Sequence, residues 1–448
     1  MKYEKWSLGY YLLKKYVQFA DWIIYRKVII AGTDKLPKNK PIVFAPNHQN
    51  ALSDPMAILL HTKFQPVWLA RADIFKNRFA IAILRFLKIM PVYRMRDGKE
   101  NLSKNDETFT NSVKVLENNS ALGLFPEAAH TGRRQMIPHK KAVPRIVFMA
   151  EEKAEKKLDI QIIPSGIYYS SYWKFNRNLI VNFGDPILVA DYLDEYKKNP
   201  GSATLLLRDK IYDGLLPVVL NIKSKTYYHE FEKLREFYGS HFLERQGLKL
   251  SVLNLFKSNQ VLVNKLDDLE EKKPDDIAKI VELANEYEST IKRIKIRCWL
   301  ANNPYLNFFK IIRNVLILFV GSPVFIFGFI FNAIPFFSID TLVRKKIKDI
   351  AFWSTFSLVV GLLLFPIVYV LELMAVSWLI PGIWLKLAFI VSLPFAGKIA
   401  FKWYILLRKT IGRVRLYWTK MFDKKQYYSL FKQRESLFNK LDELVKVE

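Results

Sequence analysis

The decapeptide Pro46-Asn47-His48-Gln49-Asn50-Ala51-Leu52-Ser53-Asp54-Pro55 carries the side chains best suited to chemistry in this 448-residue chain. A neutral imidazole can take a proton from a hydroxyl, and a carboxylate on its other nitrogen fixes the tautomer and stabilises the imidazolium that forms. General-base activation of an alcohol is therefore the chemistry expected of His48 with Asp54. The same residues also fit a plainer role, in which Asp54 caps a helix and His48 is an ordinary loop histidine. The elements needed to hold the pair are visible on either side. Pro41 to Ala45 is an apolar run that reads as a short buried strand, and Met56 to His61, with Pro55 at the first helical position, reads as a helix start.

A second apolar run, Ala121 to Phe125, leads into Pro126-Glu127-Ala128-Ala129-His130. Together with Pro91-Val92-Tyr93-Arg94 and Ile162-Ile163-Pro164-Ser165-Gly166, this makes four ordered blocks within about the first 185 residues. In that order the blocks resemble the glycerolipid acyltransferase superfamily, which acylates glycerol-3-phosphate and lysophosphatidic acid. The family blocks are a His and Asp pair, an arginine after a short strand, a Phe-Pro-Glu turn and a proline-containing strand. Similarity extends to Arg71-Ala72-Asp73-Ile74-Phe75 and Gly184-Asp185-Pro186.

The resemblance implies roles at matching positions. His48 would be the base and Asp54 its partner; Arg94 would help hold the acceptor's phosphate; Glu127 matches the turn glutamate. Lys140, in Ile137-Pro138-His139-Lys140, resembles a lysine that follows the turn in part of the family. Three positions depart from the family pattern. Five residues, Gln49 to Ser53, separate His48 from Asp54 where four are common, as in a branch resembling the fungal dual-substrate glycerol-3-phosphate and dihydroxyacetone-phosphate acyltransferases. Ala128-Ala129-His130 replaces the usual Gly-Thr-Arg, leaving Arg133 or Arg134 to substitute for the missing arginine. Ala142 stands where the lysine block often has glycine.

Composition narrows the setting. The net charge is +27, hydrophobic residues make up 51% of the chain and aromatics 15%. Such an excess of positive charge favours a polyanionic surface, and long uncharged segments select an anionic bilayer over nucleic acid. One cysteine, Cys298, excludes an intramolecular disulfide framework, and the six histidines show no zinc-binding spacing, so no metal is expected. No cofactor is expected beyond acyl-CoA or acyl carrier protein as co-substrate.

Five regions follow in order. Residues 1–27 carry apolar residues at helical spacing, interrupted by Lys5, Lys14 and Lys15, without a signal-peptide core; they form an amphipathic helix in the bilayer interface, packed on the domain, or both on opposite faces. Residues 28–200 alternate apolar runs with amphipathic stretches, an α/β pattern expected to give a mixed sheet with flanking helices, the acyltransferase domain. Strands are expected at 28–31, 42–45, 67–70, 90–93, 122–125, 160–163 and 179–183, and helices at 73–87 and 143–157. Residues 201–310 are charged and helical, with two heptad-spaced windows separated by Glu270 to Asp275, which predicts an antiparallel hairpin.

Residues 311–400 are the transmembrane region. Val315 to Phe337 and Ile350 to Leu371 are free of charge and long enough to span, while Leu373 to Gly397 is a weaker segment split by Lys386 and bent by Pro381 and Pro394. The catalytic region and the basic tail, residues 401–448, are both expected in the cytosol, which favours two spans over three. Arg344, Lys345, Lys346 and Lys348 then fall on the wrong side if both long segments cross, unless the first, broken near Gly321-Ser322-Pro323, is re-entrant. The function expected is a membrane-bound acyltransferase with its catalytic domain on the cytosolic face, moving a fatty acyl group from a thioester donor to a glycerol-phosphate acceptor. The alternative is a catalytically inactive membrane scaffold with the same fold.

Overall fold

A computed structural model describes residues 3–93, 103–302 and 307–446. The chain divides into two compact units, Met1–Leu220 with Ile347–Leu358, and Asn221–Lys346 with Val359–Glu448. In chain order the first contains α1 (Leu8–Ile24), β1 (Tyr25–Ala31), β2 (Ile42–Pro46), α2 (Ser53–His61), β3 (Val67–Arg71), α3 (Arg78–Phe86), β4 (Ile89–Val92), α4 (Asn105–Glu117), β5 (Leu122–Gly123), α5 (Ala142–Lys153), β6 (Gln161–Tyr169), β7 (Arg177–Phe183), β8 (Ile187–Leu188), α6 (Leu193–Lys198) and α7 (Pro200–Leu215).

The strands form one mixed sheet in the order β1-β7-β6-β2-β5-β3-β4, with β8 on β6. Strand β2 pairs in parallel with β5 and β6, and β3 in parallel with β4 and β5; β6 is antiparallel to β7 and β8. Both faces are covered. Val43 and Ala45 of β2 join one buried cluster, with Leu122, Val147 and Ile162; Ile42 and Phe44 join the other, with Ile58, Ile163 and Phe183. That period-2 division across a fully apolar strand is what burial on two sides requires.

All seven expected strands are present; β1, β6 and β7 run two or more residues past their expected bounds, and β5 is confined to Leu122–Gly123. The single helix expected at 73–87 is divided: Asn77 caps α3, its side chain accepting from the Ala80 amide at 2.8 Å, so the helix begins at Arg78 after a short 3₁₀ turn. Helix α4 has no counterpart among the expected elements. The α/β unit also runs past the expected boundary at residue 200, because Ala203, Leu207 and Ile211 of α7 lie in the same buried cluster as β2 and β6. On α1, Tyr10, Lys14, Val17 and Asp21 are buried at helical spacing while Leu12, Phe19 and Trp22 are exposed, so one face packs on the domain and the other is left apolar and aromatic.

The second unit is helical: α8 (Tyr228–Arg245), α9 (Val252–Lys272), α10 (Pro274–Ile294), α11 (Cys298–Ala301), α12 (Phe308–Val320), α13 (Ser322–Lys346), α14 (Trp353–Val376, whose first turns belong to the α/β unit), α15 (Ile383–Phe422) and α16 (Lys424–Leu444). Helices α9 and α10 form the expected hairpin, Pro274 opening the second. The first apolar segment is divided at Gly321, as its Gly-Ser-Pro predicts. Among the described residues three helices are long and apolar enough to cross a membrane, α13, α14 with the turn before it, and α15. The weak third segment is divided: its first residues end α14 at Val376, Pro381 lies in the turn between the helices, and the rest opens the 40-residue helix α15 at Ile383. Gly328 lets α13 approach the α15 backbone, since a Cβ there would meet the Ala396 carbonyl oxygen at 2.4 Å.

Candidate active site

Strands β2 and β5 are parallel neighbours, so the segments that follow them leave the sheet at one edge, where open α/β sheets bind ligands. Asn47 and His48 follow β2, and the Phe-Pro-Glu turn follows β5. Asn47 ties the first of these to β6: its Oδ1 accepts from the Ile167 amide at 2.7 Å and its Nδ2 donates to the Ile167 carbonyl at 3.2 Å.

His48 Nδ1 lies 2.9 Å from Asp54 Oδ2. The same oxygen accepts the Gln49 and Asn50 amides, each at 2.7 Å. An oxygen that already accepts two backbone amides is best met by a third donor, which places the ring proton on Nδ1 and leaves Nε2 as the acceptor. Nε2 makes no hydrogen bond among the described residues, and the His48 side chain is 16% exposed. Within the five-residue loop Ala51 adopts φ 42°, a left-handed conformation that costs a non-glycine residue about 1–2 kcal/mol.

The Phe-Pro-Glu turn meets this loop. Glu127 Oε1 accepts the His48 amide at 3.0 Å. Phe125 stacks on the His48 ring at 3.9 Å between centroids and 20° between planes, and Trp68 of β3 stacks on the far face of Phe125 at 5.4 Å. Ala128, also left-handed at φ 55°, stands where the family pattern has glycine. His130 presents a ring edge to His48 at 5.3 Å. Burial pushes the Glu127 carboxyl up to about 8, against the opposing His48 and Ile137 amides. Burial, then His48, pulls His130 below the ordinary imidazole range.

The structure thus brings His48, Asp54 and Glu127 together. The Lys140 amide donates to Pro126 at 2.8 Å, which ties that block to the turn, while the Lys140 side chain is exposed. Arg133 lies on the exposed stretch after His130; Arg134 is buried, donating to the Tyr169 carbonyl at 2.7 Å. Arg94 lies outside the described residues. Sequence reasoning missed Trp68, Tyr172 and Arg177. The Tyr172 hydroxyl donates to Gln49 Oε1 at 2.7 Å and its carbonyl accepts from Asn50 Nδ2 at 3.2 Å. Nothing local in the sequence links these positions, which the sheet alone brings together.

An imidazole bonded to a carboxylate, at the edge of parallel strands and beside a buried turn glutamate, is an arrangement able to take a proton from a hydroxyl. The chain matches the Acyltransferase family model over residues 27–168. It is 29% identical over 118 residues to glycerol-3-phosphate O-acyltransferase 2 of Saccharomyces cerevisiae, a match covering 26% of this chain and only 16% of the yeast protein. Over 216 residues it is 23% identical to 1-acyl-sn-glycerol-3-phosphate acyltransferase of Borreliella burgdorferi, covering 46% of this chain and 79% of that one. Among solved structures, the 1-acyl-sn-glycerophosphate acyltransferase PlsC of Thermotoga maritima aligns with a TM-score of 0.32 at 14% identity, over 46% of this chain and 78% of that chain.

Proposed function

We propose that this protein is a membrane-bound O-acyltransferase of phospholipid synthesis, moving a fatty acyl group from acyl-CoA or acyl carrier protein to a hydroxyl of glycerol-3-phosphate or its 1-acyl derivative. The observation that carries the reading is the 2.9 Å bond between His48 Nδ1 and Asp54 Oδ2, which leaves Nε2 on the open side. In the proposed reaction Nε2 takes the proton of the acceptor hydroxyl as its oxygen attacks the thioester carbonyl. The tetrahedral intermediate expels the thiolate, which recovers the proton from the imidazolium, so a new ester and a free thiol form in one ternary complex. Arg94, Lys140 and Arg133 are assigned the acceptor's phosphate, as charge-assisted donors. Glu127 is assigned to the acceptor and to holding the His48 backbone. The names of the relatives supply the acceptor class, and the three apolar helices supply the reason for a bilayer, into which acyl chains partition. The basic regions favour a cytosolic catalytic domain.

The test is transfer from a labelled acyl donor by the full-length protein in proteoliposomes, with glycerol-3-phosphate, its 1-acyl derivative and dihydroxyacetone phosphate in parallel. His48→Ala should lower kcat by about 10²- to 10⁴-fold with membrane insertion unchanged. Full turnover by His48→Ala would remove the mechanism, and an unaltered protein inert with every acceptor would leave the scaffold.

A further inference from the structure

The helix that opens at Ser53 has no cap of its own: Leu52, at its N-cap, supplies no side-chain hydrogen bond. The first amides of a helix need acceptors from somewhere. Ser53 and Asp54 find theirs in the Asn50 and Ala51 carbonyls, but the amide just before them finds its acceptor about 300 residues away, where α14 begins. The Leu52 amide donates to Thr355 Oγ1 at 3.1 Å, and Ser53 Oγ donates to Ser354 Oγ at 3.1 Å. Leu52 and Ser53 are the two residues immediately before Asp54, and Ala51 beside them is held left-handed.

The contact is built into the domain. Arg177 of β7 is 6% exposed and donates to Ser354 Oγ at 2.5 Å, to the Tyr25 hydroxyl at 3.1 Å and to the Tyr172 carbonyl. Its guanidinium lies against the stacked rings of Tyr25 and Tyr169, 5.0 and 5.2 Å from their centroids. On the open flank, Phe352 meets the His130 ring at 4.9 Å, and His130 in turn meets His48. Ser354 and Ala351 are themselves buried.

We propose that Thr355 and Ser354, in the first turn of α14, are positioning residues for the His48–Asp54 pair. They hold the turn that leads into the helix carrying Asp54 and tie it, through Arg177, to the sheet. Neither touches the reacting atoms; each acts through the turn. Turnover therefore depends on the seating of a helix that is also long and apolar enough to cross a membrane. The inference rests on His48 being the base of an acyl transfer.

The experiment uses the full-length protein in proteoliposomes. Thr355→Val keeps the shape and removes the acceptor; Thr355→Ser keeps the hydroxyl. Because small displacements of a catalytic pair cost up to about 100-fold, Thr355→Val and Ser354→Ala should each lower kcat at least about tenfold, with acceptor KM changed less than about twofold. Thr355→Ser should retain at least about half of kcat, since the bond to the Leu52 amide survives. The proposal is overturned if kcat is unchanged in Thr355→Val and Ser354→Ala, or if Thr355→Ser loses as much as Thr355→Val. A second readout needs no turnover: Ser53→Cys with Ser354→Cys, in a Cys298→Ser background, should form an oxidative cross-link recovered as joined peptides by mass spectrometry. Its failure to form also overturns the proposal. If the unaltered protein transfers no acyl group while the cross-link forms, the acyltransferase reading has failed and the contact stands.

Discussion

Glu127 couples protonation to folding at the centre of the site. Its side chain is 1% exposed and burial pushes its carboxyl up to about 8, well above the 4.5 of a free glutamate. Below the unfolded value both states carry the proton and its burial is not penalised. As pH rises from there toward 8 the unfolded chain ionises first, so stability is progressively lost over that window. Glu127→Gln keeps the acceptor for the His48 amide and cannot ionise. Its thermal midpoint should therefore fall less than that of the unaltered protein between about pH 5 and pH 8; parallel curves would show that the carboxyl is ionised in the fold. At neutral pH the largely protonated Glu127 can donate as well as accept, which suits its assignment to the acceptor. Its neighbour Ala128 is exposed and left-handed, so Ala128→Gly relieves strain without opening a cavity. The expected gain is about 1 kcal/mol or less, read as a rise in denaturation midpoint. A lower midpoint would mean that the conformation carries no strain.

The β-strands reach the His48 ring through an aromatic stack. Gly123 of β5 sits against Trp68, where a Cβ would come within 2.5 Å of the indole, and Trp68 backs Phe125, which backs His48. Gly123→Ala must push the indole into that stack. We expect a loss of about 1–3 kcal/mol in stability together with a fall in kcat; unchanged kcat would show that the stack does not orient the imidazole. The strands could be read from the sequence because each is a short apolar run between turn residues, and His48, Asp54 and Glu127 because their blocks follow two of those runs. Parallel pairing of β2 with β5 then makes proximity in space follow from order in sequence. Other features have no such local signal. The turn before α2 is held by Thr355 and Ser354, and Ser354 in turn by Arg177, so neither tie leaves a pattern in a window of the chain. Helix α4 was hidden by its polar composition, and the division before α3 depends on one asparagine accepting a backbone bond.

The membrane-facing part of the molecule follows from exposure as much as from length. Only 6% of the most apolar window in Ile350–Val376 is buried, and 17% in each of the other two candidate spans, so most of each window is left uncovered by the protein itself, as a face that meets lipid requires. Counting basic residues favoured two spans and left the run from Arg344 to Lys348 on the wrong face; length and composition now allow three helices to cross. One part of that difficulty has a structural answer. Ile347–Leu358 belongs to the same compact unit as His48, so Lys348, in the loop ahead of α14, is tied to the unit that carries His48 and Asp54. The consequence can be measured with two single-cysteine proteins in a Cys298→Ser background, Lys348→Cys and Lys157→Cys, both at exposed positions of that unit. In sealed vesicles a membrane-impermeant maleimide should label both from the same side, and from the cytosolic side if the positive-inside bias sets orientation. Labelling from opposite sides would separate the start of α14 from the catalytic domain, and with it the polar contacts that join Thr355 to Leu52 and Ser354 to Ser53.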